Sequence, residues 1–197
     1  MSCPSPRAAD APVLFLENED SFSWNVVDCL PFERERLVIR RGRQAASDPQ
    51  ALIGVGAVVV GPGPTDPWRA GIVELVRQAA ARGLPLLGIC LGHQALGLAF
   101  GAHLVRTLPA HGRQAVVHFA PSRLFPGLVG PQLVMRYHSL SLAGIGPPLR
   151  LVACTDDGIP MAVEHDTLPM AGLQFHPDSY ATPGGREMVA RFFGSLS

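Results

Sequence analysis

Short, fully apolar runs alternate with segments of helical periodicity in the first half of the chain. The clearest helical pattern covers residues 70–82, where apolar residues recur every three or four positions until Gly83 ends it. The pattern predicts strands at 13–16, 37–40, 57–60 and 84–89, and helices at 21–30, 70–82 and 91–100. Since strands this apolar must be covered on both faces, the alternation predicts a parallel sheet flanked by helices.

The second half of the chain has a different pattern. Its apolar runs are short and are interrupted by Gly, Pro and His, which is typical of antiparallel strands and loops. The pattern predicts strands at 115–119, 132–136, 151–155, 161–164 and 170–174, and a final helix at 184–193. We therefore expect an α/β fold with a mostly parallel central sheet flanked by helices and an additional small antiparallel sheet from the second half.

No repeat or linker interrupts this pattern. Residues 13–197 are therefore expected to form one domain behind a flexible N-terminal tail, residues 1–12. The tail lacks the apolar stretch of a signal peptide, and no run approaches the ~20 apolar residues that a membrane span needs. These features predict a cytoplasmic protein.

Charge and cysteine spacing exclude further classes of partner. The 16 basic residues balance the 16 acidic ones, so we expect neither a nucleic-acid partner nor an anionic membrane surface. The four cysteines are scattered without a C-x-x-C motif, and the seven histidines lack metal-ligand spacing. We expect no metal site in this chain.

The stretch LLGICLGHQ, residues 86–94, carries the most specific chemical signal. It predicts a buried strand, a sharp corner at Cys90 and a helix from Leu91. Gly88 and Gly92 flank the corner, where side chains would collide with the strand and the helix. A helix that starts just after a cysteine favours the thiolate. A buried structural cysteine is the alternative, but the two glycines favour a nucleophile.

A nucleophilic cysteine needs a base, and the base needs a group that orients it. Both residue types occur in QFHPD, residues 174–178, where His176 follows the strand predicted at 170–174. Pro177 fixes the chain so that Asp178 can turn back towards the imidazole. A histidine beside an aspartate is common in ordinary loops, so the pair gains its weight from the cysteine elbow.

The charge of a tetrahedral intermediate requires backbone N–H donors nearby. The first is expected from Leu91, the residue after the nucleophile. The second is expected from the loop GPGP, residues 61–64, which follows the strand predicted at 57–60. Since prolines carry no N–H, Gly63 is the candidate donor. Taken alone, this loop would be an ordinary Gly/Pro turn.

Several motifs, in this order and spacing, resemble the class I glutamine amidotransferase domain with its Cys-His-Glu triad. They are GPGP (61–64), GICLGHQ (88–94), RYHSL (136–140) and QFHPDS (174–179). The chain resembles more narrowly the small glutaminase subunit of anthranilate synthase and aminodeoxychorismate synthase. Residues 18–22 (NEDSF) resemble the N-x-D-S-F segment with which those subunits open, and residues 111–112 (HG) resemble their P-x-H-G. The resemblance runs from about residue 13 to the C-terminus.

The resemblance implies a catalytic role for each matching residue. Cys90 would attack the side-chain amide of L-glutamine, giving a glutamyl thioester and ammonia. His176 would act as base and acid, and Asp178 would orient it. Gly63 and Leu91 would supply the oxyanion amides.

The resemblance also implies how substrate and partner bind. Gln94 would hold the α-amino group of glutamine, and the backbone N–H groups of Ser139 and Leu140 would hold its α-carboxylate. The ammonia would pass to a large chorismate-binding synthase subunit, so the chain would work in a hetero-oligomer. No cofactor is expected in this subunit.

Three departures from the family pattern affect this interpretation. Asp178 replaces the usual Glu, residues 17–20 read ENED where Asp-Asn-Tyr-Asp is usual, and residues 30–33 form a shortened connection. Two alternatives therefore stay open. The chain could serve another, secondary-metabolite amination, or it could be a catalytically silent regulatory subunit.

Overall fold

Five parallel strands form one half of the sheet in the computed structural model, which describes residues 11–196. They are β1 (Val13–Glu17), β2 (Leu37–Arg41), β3 (Ala57–Val60), β4 (Leu86–Ile89) and β9 (Met170–Leu173). β1 lies between β2 and β3, and β4 lies between β3 and β9. The strands predicted for this half are confirmed to within two residues. Most of the tail predicted at 1–12 lies outside the described residues.

Four antiparallel strands continue the same sheet. They are β5 (His103–Phe119), β6 (Gly130–Ala143), β7 (Leu149–Thr155) and β8 (Pro160–His165). The connection is β9, which pairs parallel with β4 and antiparallel with β8. The strand order is therefore β2-β1-β3-β4-β9-β8-β7-β5-β6. The predicted α/β class is confirmed, and the additional antiparallel strands lie in one continuous mixed sheet with the parallel ones.

Within the described range, five helices cover the sheet. They are α1 (Ser23–Cys29), α2 (Gly42–Ala46), α3 (Ile72–Ala81), α4 (Leu91–Ala99) and α5 (Gly185–Gly194), with one further 3-10 turn at Arg34–Arg36. The four predicted helices are confirmed to within two residues at each end, whereas α2 has too few residues to show a helical period. Within residues 11–196, no helix has the length and apolarity needed to cross a bilayer.

Side chains that alternate along the central strands form two apolar layers. Phe15 on β1 belongs to the layer that includes Val26 of α1 and Phe192 of α5. Its neighbours Leu14 and Leu16 belong to the opposite layer, with residues of α3 and α4. This two-sided burial explains why β1 reads as a continuous apolar run. It also fixes the carboxyl ends of β1, β3 and β4, where the candidate site lies.

The longest structural feature missed by the sequence pattern is the β5–β6 hairpin. The pattern predicted only 115–119 and 132–136 of it. Most β5 residues before Val117 are exposed, so no apolar alternation marks them as a strand. Register shifts interrupt the hairpin between Arg106 and Ala110, and between His111 and Arg113. These irregularities lie beside the RYHSL motif.

Candidate active site

Cys90 occupies the predicted corner between β4 and α4. Its backbone has φ 51° and ψ −97°, a strained conformation for a residue with a side chain. A Cβ at Gly88 would lie 2.4 Å from the backbone carbonyl of Gly92, and a Cβ at Gly92 would lie 2.3 Å from the Val60 carbonyl oxygen. Only glycine therefore allows β3, β4 and α4 to approach this closely. Cys90 itself is 7% exposed.

Backbone hydrogen bonds hold the strained residue from both sides. The N–H of Cys90 donates to the Leu173 carbonyl of β9 at 2.8 Å, and the Cys90 carbonyl accepts from the N–H of Gln94 at 3.1 Å. The first bond ties the elbow to the strand that leads into QFHPD. The two motifs are therefore adjacent because β4 and β9 are neighbours in the sheet.

The structure brings His176 and Asp178 together as the sequence predicts. Nδ1 of His176 lies 3.2 Å from Oδ1 of Asp178, and the side chains are only 2% and 1% exposed. The distance is that of a buried ion pair, but the N–H does not point at the oxygen closely enough for a hydrogen bond. Because the distance is short and water is excluded, we treat the pair as charge-coupled.

Contacts from β6 and from the loop after Asp178 fix His176. Its backbone N–H donates to the Met135 carbonyl at 3.0 Å, and its carbonyl accepts from the Thr182 hydroxyl at 2.7 Å. The same hydroxyl accepts from the Met135 N–H at 2.9 Å. Phe22 and Tyr137 set their rings edge-on to the imidazole, with centroids 5.7 and 5.2 Å away.

The electrostatic surroundings favour the protonated form of His176. Burial lowers its pKa, but the Asp178 carboxylate and the Cys90 sulfur outweigh burial and raise the pKa from 6.5 to about 10. The three side chains thus form one coupled acid–base unit, and the imidazole carries a proton at neutral pH.

His93, the histidine that follows the Cys90 elbow, has the opposite character. His93 is fully buried on α4, where its Cα and Nδ1 would each lie 2.9 Å from a Cβ on Gly172. Burial lowers the pKa of His93 to about 3, so it is neutral. This histidine packs the helix against β9 and has no charge to offer the site.

Gly63 and Leu91, the two predicted oxyanion donors, lie in neighbouring segments. A Cβ on Gly63 would lie 2.5 Å from a methyl carbon of Leu91. The GPGP loop is held by Asn18, whose side-chain nitrogen donates to the carbonyls of Leu16 and Gly61 at 3.2 and 3.1 Å. Within residues 11–196, neither Gly63 nor Leu91 donates its backbone N–H to a protein acceptor.

Gln94 lies in the same buried network as Cys90. Its side-chain nitrogen donates to the Leu140 carbonyl at 3.3 Å and to Oε1 of Gln174 at 3.2 Å. Gln174 in turn directs its nitrogen at the Cys90 sulfur, 3.7 Å away. Gln174 belongs to the QFHPD motif, but the sequence pattern predicted no role for it. The available signal was a polar residue that directly follows the apolar strand β9.

A break in the β5–β6 pairing exposes the backbone of Ser139. Arg106 pairs with Leu140 and Ala110 pairs with His138, so residues 107–109 stand opposite Ser139 alone. Such an irregularity releases main-chain groups from the ladder. Of the two residues implied for the substrate carboxylate, Ser139 is therefore free from strand pairing, whereas Leu140 pairs with Arg106.

A cleft of about 580 Å³ opens on the side of the site where Asp178 lies. Its lining includes Phe22, Tyr137, Asp178 and Arg186, but not Cys90 or the GPGP loop. The thiol thus lies apart from this opening. Within the described range, no cluster of His, Cys, Asp and Glu has the geometry of a metal site.

Residues 17–20, which read ENED where Asp-Asn-Tyr-Asp is usual, form a tight turn at the end of β1. Glu19 has a positive φ of 62°, and the carboxylate of Glu17 accepts from the Asp20 N–H at 3.1 Å. Asp20 caps the following turn by accepting from the Phe22 N–H at 2.8 Å. This turn places Phe22 against the imidazole.

The profile of the family described as Glutamine amidotransferase class-I matches residues 14–196. Anthranilate synthase component 2 of Mycobacterium tuberculosis is 41% identical over 186 residues, which are 91% of this chain and 80% of that protein. Aminodeoxychorismate/anthranilate synthase component 2 of Bacillus subtilis is 35% identical over 188 residues, 91% of this chain and 94% of that protein. Aminodeoxychorismate synthase of Streptomyces griseus is 42% identical over 183 residues, 91% of this chain, and the matched part is 25% of that longer protein.

Solved structures show the same fold. A Thermoplasma acidophilum protein assigned as one subunit of GMP synthase matches with a TM-score of 0.81 at 22% identity, covering 94% of this chain and 93% of that one. A glutamine amidotransferase from Methylobacillus flagellatus matches with a TM-score of 0.73 at 17% identity, covering 95% and 96%. The family profile, the curated relatives and the cysteine elbow agree, and the chain belongs to the class I glutamine amidotransferase family.

Proposed function

We propose that this chain is a glutaminase subunit that hydrolyses L-glutamine and delivers ammonia to a large chorismate-binding synthase subunit. The observation that carries the proposal is the convergence of three side chains. Cys90 projects from a strained elbow whose N–H bonds to β9, and the chain continuing from β9 carries the buried His176–Asp178 pair, whose imidazole pKa the Cys90 sulfur helps to raise. The relatives include components of anthranilate and aminodeoxychorismate synthases, which supports this class of partner.

In the proposed first half-reaction, the Cys90 sulfur attacks the side-chain carbonyl carbon of glutamine. Charge collects on the carbonyl oxygen, where the N–H groups of Gly63 and Leu91 stabilise it. The His176 imidazolium gives its proton to the amide nitrogen. The C–N bond breaks, ammonia leaves and a glutamyl thioester remains on Cys90.

In the second half-reaction, water attacks the thioester carbon. His176 takes a proton from this water, the C–S bond breaks, and glutamate leaves. Asp178 stabilises the imidazolium each time that it forms. The two half-reactions consume one glutamine and one water and release one glutamate and one ammonia. No cofactor enters either step.

The α-groups of glutamine are proposed to bind away from the reacting carbon. The side-chain oxygen of Gln94 would accept from the α-amino group, because the side-chain nitrogen already donates to Leu140 and Gln174. The unpaired backbone at Ser139 and the adjoining Leu140 would donate to the α-carboxylate. Substrate binding would thus span α4 and β6.

The test compares glutamine with ammonia as nitrogen donors. Purified chain is assayed for glutamate release alone and with the synthase subunit that copurifies with it. We expect low glutaminase activity alone and a rise in the complex, because the Cys90 thiol is buried and the loop around Gly63 is proposed to become productive only when the partner binds. Cys90→Ser should abolish glutamine-dependent synthesis, by about 10⁶-fold, and leave ammonia-dependent synthesis intact.

The same assay separates the alternatives. A wild-type complex that uses only ammonia would indicate a silent regulatory role. A complex that uses glutamine but whose partner does not accept chorismate would indicate another amination. Comparable glutamine use by Cys90→Ser would exclude Cys90 as the nucleophile.

A further inference from the structure

Gln174 is a buried polar residue to which the proposed reaction assigns no function. It follows β9 directly, and its side chain is fully enclosed. One end of its carboxamide faces the Cys90 sulfur at 3.7 Å, and the other end accepts from Gln94 at 3.2 Å. Gln174 therefore connects the nucleophile to the residue proposed to bind the substrate.

Arg136 sets which groups donate and which accept in this hydrogen-bond network, because its guanidinium can only donate. Its Nε donates to Nε2 of His138 at 3.1 Å, so the proton of the neutral imidazole is on Nδ1. Burial, followed by the charge of Arg136, lowers the pKa of His138 to about 4, which keeps the ring neutral. The Nδ1 proton is then donated to the Leu140 carbonyl at 2.9 Å.

The Leu140 carbonyl fixes the remaining orientations because it can only accept. The Gln94 side chain must turn its nitrogen towards this carbonyl, and its second N–H reaches Oε1 of Gln174. Gln174 therefore presents nitrogen, not oxygen, to Cys90. With the reverse orientation, two amide nitrogens would face each other and a carbonyl oxygen would face the sulfur.

We propose that Gln174 is a hydrogen-bond donor to the nucleophile, that it holds and stabilises the Cys90 thiolate, and that Gln94 sets its orientation. A bond from an amide N–H to an anionic sulfur is charge-assisted. Amides that are linked by hydrogen bonds polarise one another, so a hydrogen bond made by Gln94 affects the hydrogen bond made by Gln174. The involvement of this thiol in glutamine hydrolysis rests on the proposed function, whereas the network itself belongs to the free chain.

The first test measures the alkylation of Cys90 by iodoacetamide, followed on the Cys90 peptide by mass spectrometry at one fixed pH. Gln174→Glu keeps the shape and an acceptor for Gln94 but places an oxygen before the sulfur. Gln174→Met removes both polar ends at similar volume. We expect either variant to slow alkylation about tenfold or more, the usual value of a hydrogen bond to a charged group. Gln78→Glu on α3 is the matched control and should alkylate at the wild-type rate.

The second test is a double-variant cycle with Gln94→Met. In the described structure the Gln94 side chain makes no hydrogen bond to the sulfur, so its effect must pass through Gln174. Gln94→Met should slow alkylation in the wild-type background and have no further effect in Gln174→Met. Additive effects would overturn the coupling.

A turnover assay distinguishes this inference from the proposed function. Gln174→Glu should lower kcat for glutamine while KM stays within about twofold, whereas Gln94→Met should raise KM. Alkylation requires no turnover, so a wild-type complex without glutaminase activity would refute the proposed function and leave the alkylation result decisive. Wild-type alkylation rates in a folded Gln174→Glu or Gln174→Met variant, checked by circular dichroism, would overturn the role of Gln174.

Discussion

The Cys90 elbow and the segment that carries His176 meet at one site but are held in different ways. The elbow depends on backbone packed against backbone, where added carbon atoms at Gly88 and Gly92 would meet neighbours at 2.4 and 2.3 Å. The histidine depends on hydrogen bonds to Met135 and Thr182, which are distant from it in sequence or lie in a loop.

This difference predicts how each region responds to change. Steric packing of backbone atoms cannot relax without moving β3, β4 and α4, so the elbow should be intolerant. A segment held by separate hydrogen bonds loses them one at a time, so its defects should be graded. The variants below test that contrast on glutamine turnover by the complex and on stability.

The largest effects are expected within the acid–base unit. His176→Ala should lower turnover by about 10⁶-fold and Asp178→Ala by about 10⁴-fold, the pattern measured in a serine triad. The histidine transfers the proton itself, whereas the carboxylate stabilises the imidazolium. The measurement is kcat for glutamate release, with ammonia-dependent synthesis as the control. Equal loss in the two variants would give Asp178 a larger role.

The elbow is tested by Gly92→Ala. Its Cβ would meet the Val60 carbonyl oxygen, which belongs to the central strand β3 and cannot move aside. We expect a loss of about 4 kcal/mol or more in the free energy of unfolding, measured by urea denaturation. Gly194→Ala, where a Cβ has no neighbour within 4 Å, is the control. A stable, active Gly92→Ala variant would refute the steric account of the elbow.

The next effect on turnover is expected at Asp178, which stands where the family usually has Glu. The Asp178 side chain is 1% exposed, and its Oδ1 lies 3.2 Å from Nδ1 of His176, so an added methylene must displace the imidazole. Asp178→Glu should therefore reduce turnover by about 10²-fold, since a ~1 Å error can cost that much. A several-fold increase would mean instead that the native pair is weakened, and the silent-subunit alternative would gain support.

Thr182→Val tests the graded response of the histidine segment. The substitution keeps the shape but removes the hydroxyl that links Met135 to the His176 carbonyl. Leaving buried groups unpaired costs about 1–3 kcal/mol, and we expect a loss of stability in that range with reduced but measurable turnover. Thr182→Ser should restore both properties. Complete inactivity of a folded Thr182→Val chain would contradict the graded response.

The pH dependence of stability tests the coupling within the acid–base unit. Burial lowers the pKa of His176, but Asp178 and Cys90 raise it to about 10. A raised folded-state pKa stabilises the protein fully below the unfolded value of 6.5, and this contribution is lost as the pH rises through about 10. The free energy of unfolding should therefore decline across that window more in the wild type than in His176→Gln. Parallel curves for the two proteins would exclude the coupling.

Local patterns were sufficient to predict the elbow and the parallel half of the sheet. The glycines around Cys90 and the apolar runs of β1, β3 and β4 each carry their signal within a few residues. The same applies to α3 and α5, whose apolar faces repeat with the helical period. The structure places Gly63 against the side chain of Leu91, and the role of their two N–H groups as oxyanion donors stays a prediction.

The rest depends on contacts between residues that are far apart in the sequence. Exposed β5 has no apolar alternation, and its pairing with β6 releases Ser139 through an irregularity that no short pattern encodes. Thr182 reaches His176 from a loop, and Gln174 has a partner at Gln94, 80 positions away. These polar contacts define the surroundings of the triad but leave no periodic signal.

The most direct measurement is acid quenching of the wild-type complex during glutamine turnover, followed by mass spectrometry of the Cys90 peptide. Glutaminase chemistry at the elbow predicts a glutamyl adduct on Cys90 that disappears when glutamine is exhausted and that does not form in Cys90→Ser. An adduct on another residue, or continued release of glutamate by Cys90→Ser, would contradict the proposed mechanism.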